Sequence, residues 1–557
     1  MLDKIMMSQG DVESTLFHIF VIGFHHQKGT QVEFCYPEIN DPLLEKKEGE
    51  DISLPKQWHA LPYLAMPDGA HNYEEDHSFF HLPALTKGSK LSTDTIYAVS
   101  CFRQIDSKKL KNKDENVTRT TVQKSVCVLM KMPLYSFVLS KLELVTHAYF
   151  NELDFTKTDI LKECFDNLSQ QLTSIKLDNS IFHLGLELRD IVLNFKQKVL
   201  MIFKLLLLEK KVVFWGNPVK DVCKFVLSII TLFPGLIHKG LLHSSCVEGV
   251  YIKKGTQSPH DIYGLPLDIF EEGCLFQPYM SLHNMTLLRK AKVSSFVVGG
   301  SNVLFKQQMH CPWDVLVDLE TFTLTIPDPE LEKLLDLSTE DLRLCEYVIA
   351  VVENSSETLG WEGSDDWLRL QFKAYLLCLL STVESSPQDE LHELHPFNGP
   401  FCQAWTATNN YRRWSHTDHP GMEHFHKGHP FQGDITISDL RLRINHIAES
   451  FANEETRKKL AQALSKTQIA FGGALTSAKT TLSSIRAWIS GMVQDIEIEM
   501  KKHSDNKTQN RKTIDIASSN MIITDKERKG EQVKTIGDVI GNEEPLDDGQ
   551  EVTEDNT

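Results

Sequence analysis

The first readable pattern is a pair of short β-type runs. His18–Phe24 (HIFVIGF) is rich in Ile, Val and Phe, and Gln31–Tyr36 (QVEFCY) alternates apolar with polar positions. Together they predict two paired strands across the Gly-containing turn HHQKGT. Further strands are predicted at Phe79–Leu82, Asp94–Gln104 and Lys124–Lys131. Pro133 stands at a favourable helix start, so Leu134–Phe150 reads as helix, and Asp159–Ile175 continues it. After a break at Asp178–Leu184, one long helix is expected from Leu188 to Leu208. It feeds a charged turn and a short buried strand ending at Gly216, and Pro218 opens a helix over Val219–Leu232. This alternation predicts βαβ units and a partly parallel sheet. Phe296–Phe305 is an apolar run broken by Gly299-Gly300, and Leu316–Ile326 reads as two short strands. From Pro329 the period turns helical, at Glu330–Leu335, Thr339–Val352, Asp366–Val383 and Pro400–Trp414. Residues 415–433 read as a His-, Pro- and Gly-rich loop, and helix resumes over Ile435–Thr456. No internal repeat is visible.

Residues 467–493 carry a different pattern. Phe471, Leu475, Ala478, Leu482, Ile485, Ile489 and Met492 recur at alternating steps of four and three, which places them on one helical face. Trp488 lies beside that stripe, and the opposite face is Ser, Thr and Gly with only Lys479 and Arg486 charged. A bulky apolar stripe with a nearly uncharged polar face suits insertion into loosely packed lipid. The alternative is a helix packed on its own domain. Gly472 and Gly473 each cost about 1 kcal/mol in a helix interior, as expected of a segment that folds on contact with lipid or of a poor helix. The candidate membrane residues are Phe471, Leu475, Leu482, Ile485, Trp488 and Ile489, with Lys501 and Lys502 just beyond. Residues 501–534 hold nine Lys and Arg against five acids, and each basic group near an anionic leaflet adds about 1 kcal/mol.

Composition narrows the function classes. The 557 residues, 41% hydrophobic and 24% charged, are an ordinary globular balance with room for several domains. A formal net charge of −18 argues against a general nucleic-acid binder. The last 23 residues hold eight Asp and Glu and no Lys or Arg; beyond about residue 500, and over 1–14, disorder is expected. Eleven scattered cysteines without a C-x-x-C pair suit reduced thiols in the cytosol. Asp3 and Lys4 follow Met1 with no long apolar core, so no secretory signal is expected. Residues 191–208 contain three lysines and 225–238 are only 14 long with Pro234 inside. Both read as soluble core, since a span needs about 20 mostly apolar residues; a single-pass protein is the weaker reading.

Signatures of bond-making enzymes, such as a phosphate-binding loop, a nucleophile elbow or H-E-x-x-H, are absent from the sequence. No cofactor or metal is expected. The nearest metal candidate is His416, His419, His424, His426 and His429, framed by Asp418 and Glu423. Gly299-Gly300 suggests close backbone packing rather than a dinucleotide site. Pro67-Asp68-Gly69 is a turn in which Asp68 can bond its own backbone, and His25-His26 likewise reads as turn chemistry. Asp68, His71, Asn72 and Tyr73 then form a polar cluster that suits a protein-binding edge. The Trp361–Trp367 segment is explained by Ser364 or Asp365 capping the next helix.

Eight blocks in order carry a family resemblance: GFHHQKGTQVEFCYP (23–37), LPYLAMPDGAHNYEED (61–76), QKSVCVLMKMPLYSF (123–137), LLLLEKKVVFWGNP (205–218), YGLPLDIF (263–270), FVVGGSNVLFKQQ (296–308), GWEGSDDWLRLQF (360–372) and HPFQG (429–433). Over roughly residues 15–490 the chain resembles the Avl-nine late secretory pathway protein family, within the tripartite DENN-domain superfamily. The resemblance implies an α/β fold, a two-lobed DENN module with an N-terminal longin-like α/β lobe, a C-terminal α/β lobe and a helical extension. The expected boundaries are 1–14 disordered, 15–178 longin-like lobe, 179–328 core lobe, 329–460 helical region, 461–499 amphipathic helix and 500–557 disordered tail. It also implies vesicle traffic in the late secretory or endosomal pathway, with roles in cell polarity or migration. The implied partners are a Rab-family small GTPase and membrane lipids, bound peripherally from the cytoplasm on secretory vesicles or recycling endosomes. Many DENN proteins promote nucleotide exchange, which needs a binding surface rather than an acid–base pair; a non-catalytic GTPase-binding scaffold is the rival reading.

Overall fold

The computed structural model describes residues 15–39, 52–85, 95–112, 119–174, 179–242, 260–271, 273–355, 360–422 and 427–433, with isolated positions among and beyond them up to His446. All of these belong to one compact unit, Met1–His446. Two five-stranded sheets dominate it.

The first sheet contains β1 (Leu16–His25), β2 (Gly29–Tyr36), β3 (Glu75–Pro83), β4 (Thr95–Asp106) and β5 (Thr121–Met130). Their order is β2-β1-β5-β4-β3, antiparallel throughout, with a register shift in β1 at Val21/Ile22. Ile19–Ile22, Ile96–Phe102 and Val126–Met130 are buried as unbroken runs. Antiparallel strands usually alternate because one face meets water; here both faces are covered. Helices Tyr135–Asn151 and Asp159–Ser174 pack against this sheet. Helix Leu61–Ala65 does so too, its Leu64 and Ala65 carbonyls accepting from the hydroxyls of Ser78 and Ser100 at 2.7 Å.

The second sheet contains β6 (Lys211–Trp215), β7 (Cys274–Gln277), β8 (Ser295–Gly300), β9 (Val315–Asp318) and β10 (Thr323–Thr325). Its order is β10-β9-β6-β8-β7, parallel except for the β9–β10 hairpin. This is the partly parallel sheet that the strand–helix alternation predicts. Its side chains divide strictly by face. Val212, Phe214, Phe276, Val297, Val315 and Val317 join the main core, while Val213, Trp215, Leu275, Phe296, Val298 and Leu316 form a separate cluster.

A seam of buried polar contacts joins the sheets along β3. Gln277 on β7 behaves like a short piece of strand: its Oε1 accepts from His81 N at 2.8 Å and its Nε2 donates to His81 O at 2.8 Å. Cys223 Sγ lies 3.3 Å from Phe79 N. Asp76 accepts from Val219 N and Lys220 N at 3.1 and 2.9 Å, capping helix Val219–Ile230 from the other sheet. The His81 ring is fully enclosed between Ser244 Oγ at 3.1 Å and Tyr135 Oη at 2.5 Å, and burial pushes its pKa down to about 3.

Between residues 329 and 415 the described chain is mainly helical: Pro329–Leu335, Thr339–Asn354, Asp365–Ser385, Gly399–Thr406 and Asn409–Ser415. Its polar centre is Asp341, wholly buried. Asp341 pairs with Lys204 Nζ at 2.5 Å, accepts from Tyr375 Oη at 2.9 Å, and lies 3.3 Å from His429 Nε2. Burial opposes its charge, but Lys204 and His429 together hold the carboxyl well below the ordinary range. A buried carboxylate persists only when paired and hydrogen-bonded in this way.

Three of the expected helix readings differ in the structure. The helix expected over Leu188–Leu208 is two, Arg189–Phe195 and Lys198–Leu207, parted at Lys196 with φ 50°. The break at Asp178–Leu184 contains a short helix, Asn179–His183. Pro400–Trp414 is likewise two helices, separated at Ala407 and Thr408. Pro133 does stand at a helix start, just before the cap residue Leu134 of helix Tyr135–Asn151. Among the described residues no helix is long and apolar enough to cross a membrane. The apolar runs 191–208 and 225–238, which underlie the single-pass reading, are instead packed into the core.

Candidate partner-binding surface

The turn Pro67-Asp68-Gly69 sets the geometry. Gly69 takes φ 79°, a left-handed conformation natural to glycine. Asp68 does not close on its own turn, which corrects the expected self-bonded Asp. Its Oδ2 accepts from Leu282 N at 2.6 Å, its N–H donates to Tyr279 Oη at 2.7 Å, and its carbonyl accepts from Ser301 Oγ at 3.0 Å. Burial raises the Asp68 pKa, and the Leu282 amide and the Tyr279 hydroxyl pull it back. So Asp68 faces inward and ties the first sheet's connecting segment to the second sheet. It holds the polar segment that follows in place rather than facing outward with it.

The residues after it do face outward. His71 and Asn72 are exposed and Tyr73 half-buried. Gln104 Nε2 on β4 fixes this stretch by donating to the carbonyls of His71 at 3.0 Å and Tyr73 at 2.7 Å. Beside Gln104, Arg103 pairs with Glu75 at 2.7 Å and Glu74 at 3.5 Å, and its Nη1 lies 2.6 Å from His147 Nδ1 on helix Tyr135–Asn151. One turn earlier on that helix, Glu143 accepts from His77 Nε2 at 2.7 Å. Burial and the Lys220 charge push the His77 pKa down to about 4, so it is neutral near pH 7. The strip therefore runs from His71 through Glu75 to Arg103 and His147. The single guanidinium of Arg103 meets two carboxylates, Glu74 and Glu75, so the strip keeps an acidic excess.

Sequence reasoning found 68–73 but missed Glu75, Arg103, Glu143 and His147. The signal was within reach: Glu75 and Arg103 are direct cross-strand partners in the β3–β4 register, an opposite-charge pair of the kind sheets favour. Glu143 and His147 sit four apart on one helix face.

Two features of the second sheet bear on ligand binding. The N-terminus of helix Val219–Ile230, the position at which such folds commonly hold phosphate, is filled by the Asp76 carboxylate. At the neighbouring strand ends, a Cβ on Gly216 would stand 3.1 Å from Leu319 Cβ, and one on Gly299 would collide with the Pro278 carbonyl. Gly299 thus serves close packing, as its context suggests.

The histidine group is dispersed. His416 Nδ1 bonds the Arg412 carbonyl, His419 stacks on Trp414 at 4.6 Å, and His429 is buried beside Asp341. His424 and His426 lie outside the described residues, and among the described residues no group of metal-ligating side chains converges. His25 Nδ1 accepts from the amides of Gln27 and Lys28, both at 3.2 Å, as turn chemistry requires. Ser364 caps helix Asp365–Ser385 through Trp367 N, whereas Asp365 accepts from Leu188 N and Arg189 N and so caps a different helix. The membrane candidates Phe471, Leu475, Leu482, Ile485, Trp488, Ile489, Lys501 and Lys502 lie outside the described residues.

The profile of the family described as Transport protein Avl9 matches residues 16–383, which include both sheets. This chain belongs to that family. Late secretory pathway protein AVL9 of Saccharomyces cerevisiae is 30% identical over 506 residues, 80% of this chain and 65% of its own length. Late secretory pathway protein avl9 of Schizosaccharomyces pombe is 29% identical over 437 residues, 73% of this chain and 88% of its own. This Avl9-family chain thus spans slightly under two thirds of the budding-yeast relative. The matched region also takes in the whole strip from His71 to His147.

Proposed function

We propose that this chain acts in late secretory-pathway traffic as a two-lobed DENN module that binds a Rab-type small GTPase. In this reading the first sheet and its helices form the longin-like lobe, the second sheet the core lobe, and the helices beyond residue 328 the extension. The pathway reading is supported by the names of both yeast relatives. The single observation supporting a protein partner is the polar strip of exposed His71, Asn72, Glu75 and His147 with half-buried Tyr73, underlain by the largely buried Arg103 and held from behind by Asp68 and Gln104. An exchange factor acts by binding the nucleotide-free GTPase better than the loaded one, which calls for a fixed polar surface of this sort. The module meets vesicle membrane peripherally through residues 467–493.

Release of fluorescent GDP from a panel of Rab proteins, read together with direct binding to each, tests this. Acceleration with one Rab, lost on Arg103→Glu and Tyr73→Ala, is the expected result. Binding without acceleration leaves a scaffold. Full-length protein that binds no Rab in any nucleotide state overturns the GTPase reading. For the membrane arm, a 465–495 peptide should gain helicity by circular dichroism on highly curved liposomes, and no gain removes it.

A further inference from the structure

Residues 273–313 contain Arg289, Lys290, Lys292 and Lys306 and not one Asp or Glu, in a chain of formal net charge −18. The same stretch covers the outer face of the second sheet. Leu288, Val293, Phe305, Cys311 and Trp313 pack there against Val213, Phe296 and Val298. Outside the two strands it supplies, the cover is built of 3-10 turns, Leu282–Arg289 and Val303–Lys306.

This cover is fastened down. Arg289 Nε donates to His310 O at 2.9 Å, Gln308 Nε2 donates to Trp313 O at 3.0 Å, and the amides of His310 and Cys311 both donate to Gln307 O at 2.9 Å. Lys306 lies over the Trp215 ring and pairs with Asp318 at 2.7 Å. Yet this held backbone turns two apolar side chains out to water: Met309 is 76% exposed and Val303 59%. Arg289 and Lys292 are exposed on the same cover.

We propose that this cover is a contact face for an anionic lipid bilayer, with Met309 and Val303 entering the headgroup boundary and Arg289 and Lys292 meeting acidic headgroups. Charge complementarity selects the occupant: the stretch is free of acids while the chain as a whole is strongly acidic. A bilayer also takes isolated protruding apolar groups without needing a matching shape. A protein partner would call for a clustered aromatic or Arg anchor seated in a pocket, whereas Met309 is flanked by Gln307, Gln308 and His310. The inference does not depend on GTPase binding. It adds a contact on the folded unit to the one read for 467–493.

The test is co-sedimentation of the full chain with phosphatidylcholine–phosphatidylserine vesicles and with pure phosphatidylcholine vesicles, alongside hydrogen exchange of the peptide containing Met309. We expect exchange protection around Met309 on the anionic vesicles alone. Arg289→Glu with Lys292→Glu should weaken binding about twenty-fivefold, at about fivefold per charge even before reversal is counted, and Met309→Asp should weaken it further. These residues are exposed, so an unchanged melting temperature confirms that the variants fold. Unaltered vesicle binding by both variants, without protection at Met309, overturns the proposal. Loss of binding to a polyglutamate peptide but not to vesicles also overturns it, in favour of an acidic protein partner. Failure of the 467–493 reading is recognised separately, by Leu482→Asp with Ile485→Asp leaving vesicle binding intact.

Discussion

The seam along β3 and the outer cover of the second sheet border the same structure but are made differently. The seam is dense with buried polar groups committed to particular partners: Gln277 to the His81 backbone, Asp76 to a helix N-terminus, the His81 ring to Ser244 and Tyr135. The cover has an apolar underside and a basic, partly apolar outside. Unmade buried hydrogen bonds are expensive, so the seam admits one arrangement of the two sheets. Exposed side chains cost little to change, so the cover is free to carry surface chemistry.

The comparison breaks first at Gln277. Gln277→Ala leaves the His81 N–H and carbonyl unpaired in the core, and should cost about 4 kcal/mol; denaturant unfolding reads this directly. A loss below about 1 kcal/mol would mean the seam is not what holds the sheets together.

Acid should act on the same place. His81 has a folded pKa of about 3 against an ordinary 6.5, so the unfolded chain binds the extra proton as pH falls. Its contribution is intact above pH 6.5 and declines by about 3 kcal/mol on reaching pH 4. His77, His183 and His238, each lowered to about 4, act in the same direction. Asp68 and Asp76, whose pKa values are raised by burial, act in the opposite one. Thermal unfolding from pH 7 to pH 4 should show a net decline, and a flat profile would place His81 in a wetter site than its enclosure indicates.

Asp76→Ala removes the cap of helix Val219–Ile230 and should cost about 2 kcal/mol. Because Asp76 and Gln277 contact different elements, the double variant should lose nearly the sum. On the cover, Met309→Ser should shift stability by no more than about 0.5 kcal/mol. A larger loss there would mean that the outside of the cover is core after all.

The same contrast explains what the sequence disclosed. Strands β1 to β5 were legible because Ile, Val and Phe runs bounded by turn residues predict strand directly. The break at Lys196 was not, since an apolar helical period continues across it while only one backbone angle changes. The Pro67-Asp68-Gly69 turn was visible, but Asp68's partner Leu282 is 214 residues away, beyond any local pattern. Arg103 and Glu75 are likewise meaningful only once the register is known.

The Gln277–His81 clasp joins residues 196 apart in the chain. Ribosomes add about 5–20 residues per second, so β3 leaves the exit tunnel roughly 10–40 seconds before its cover is made. Until helix Val219–Ile230 emerges the β3 edge is open, and the part around His81 stays so until Gln277 follows, the kind of template on which chains associate wrongly. Production of this protein should therefore depend on whatever shields that edge during translation.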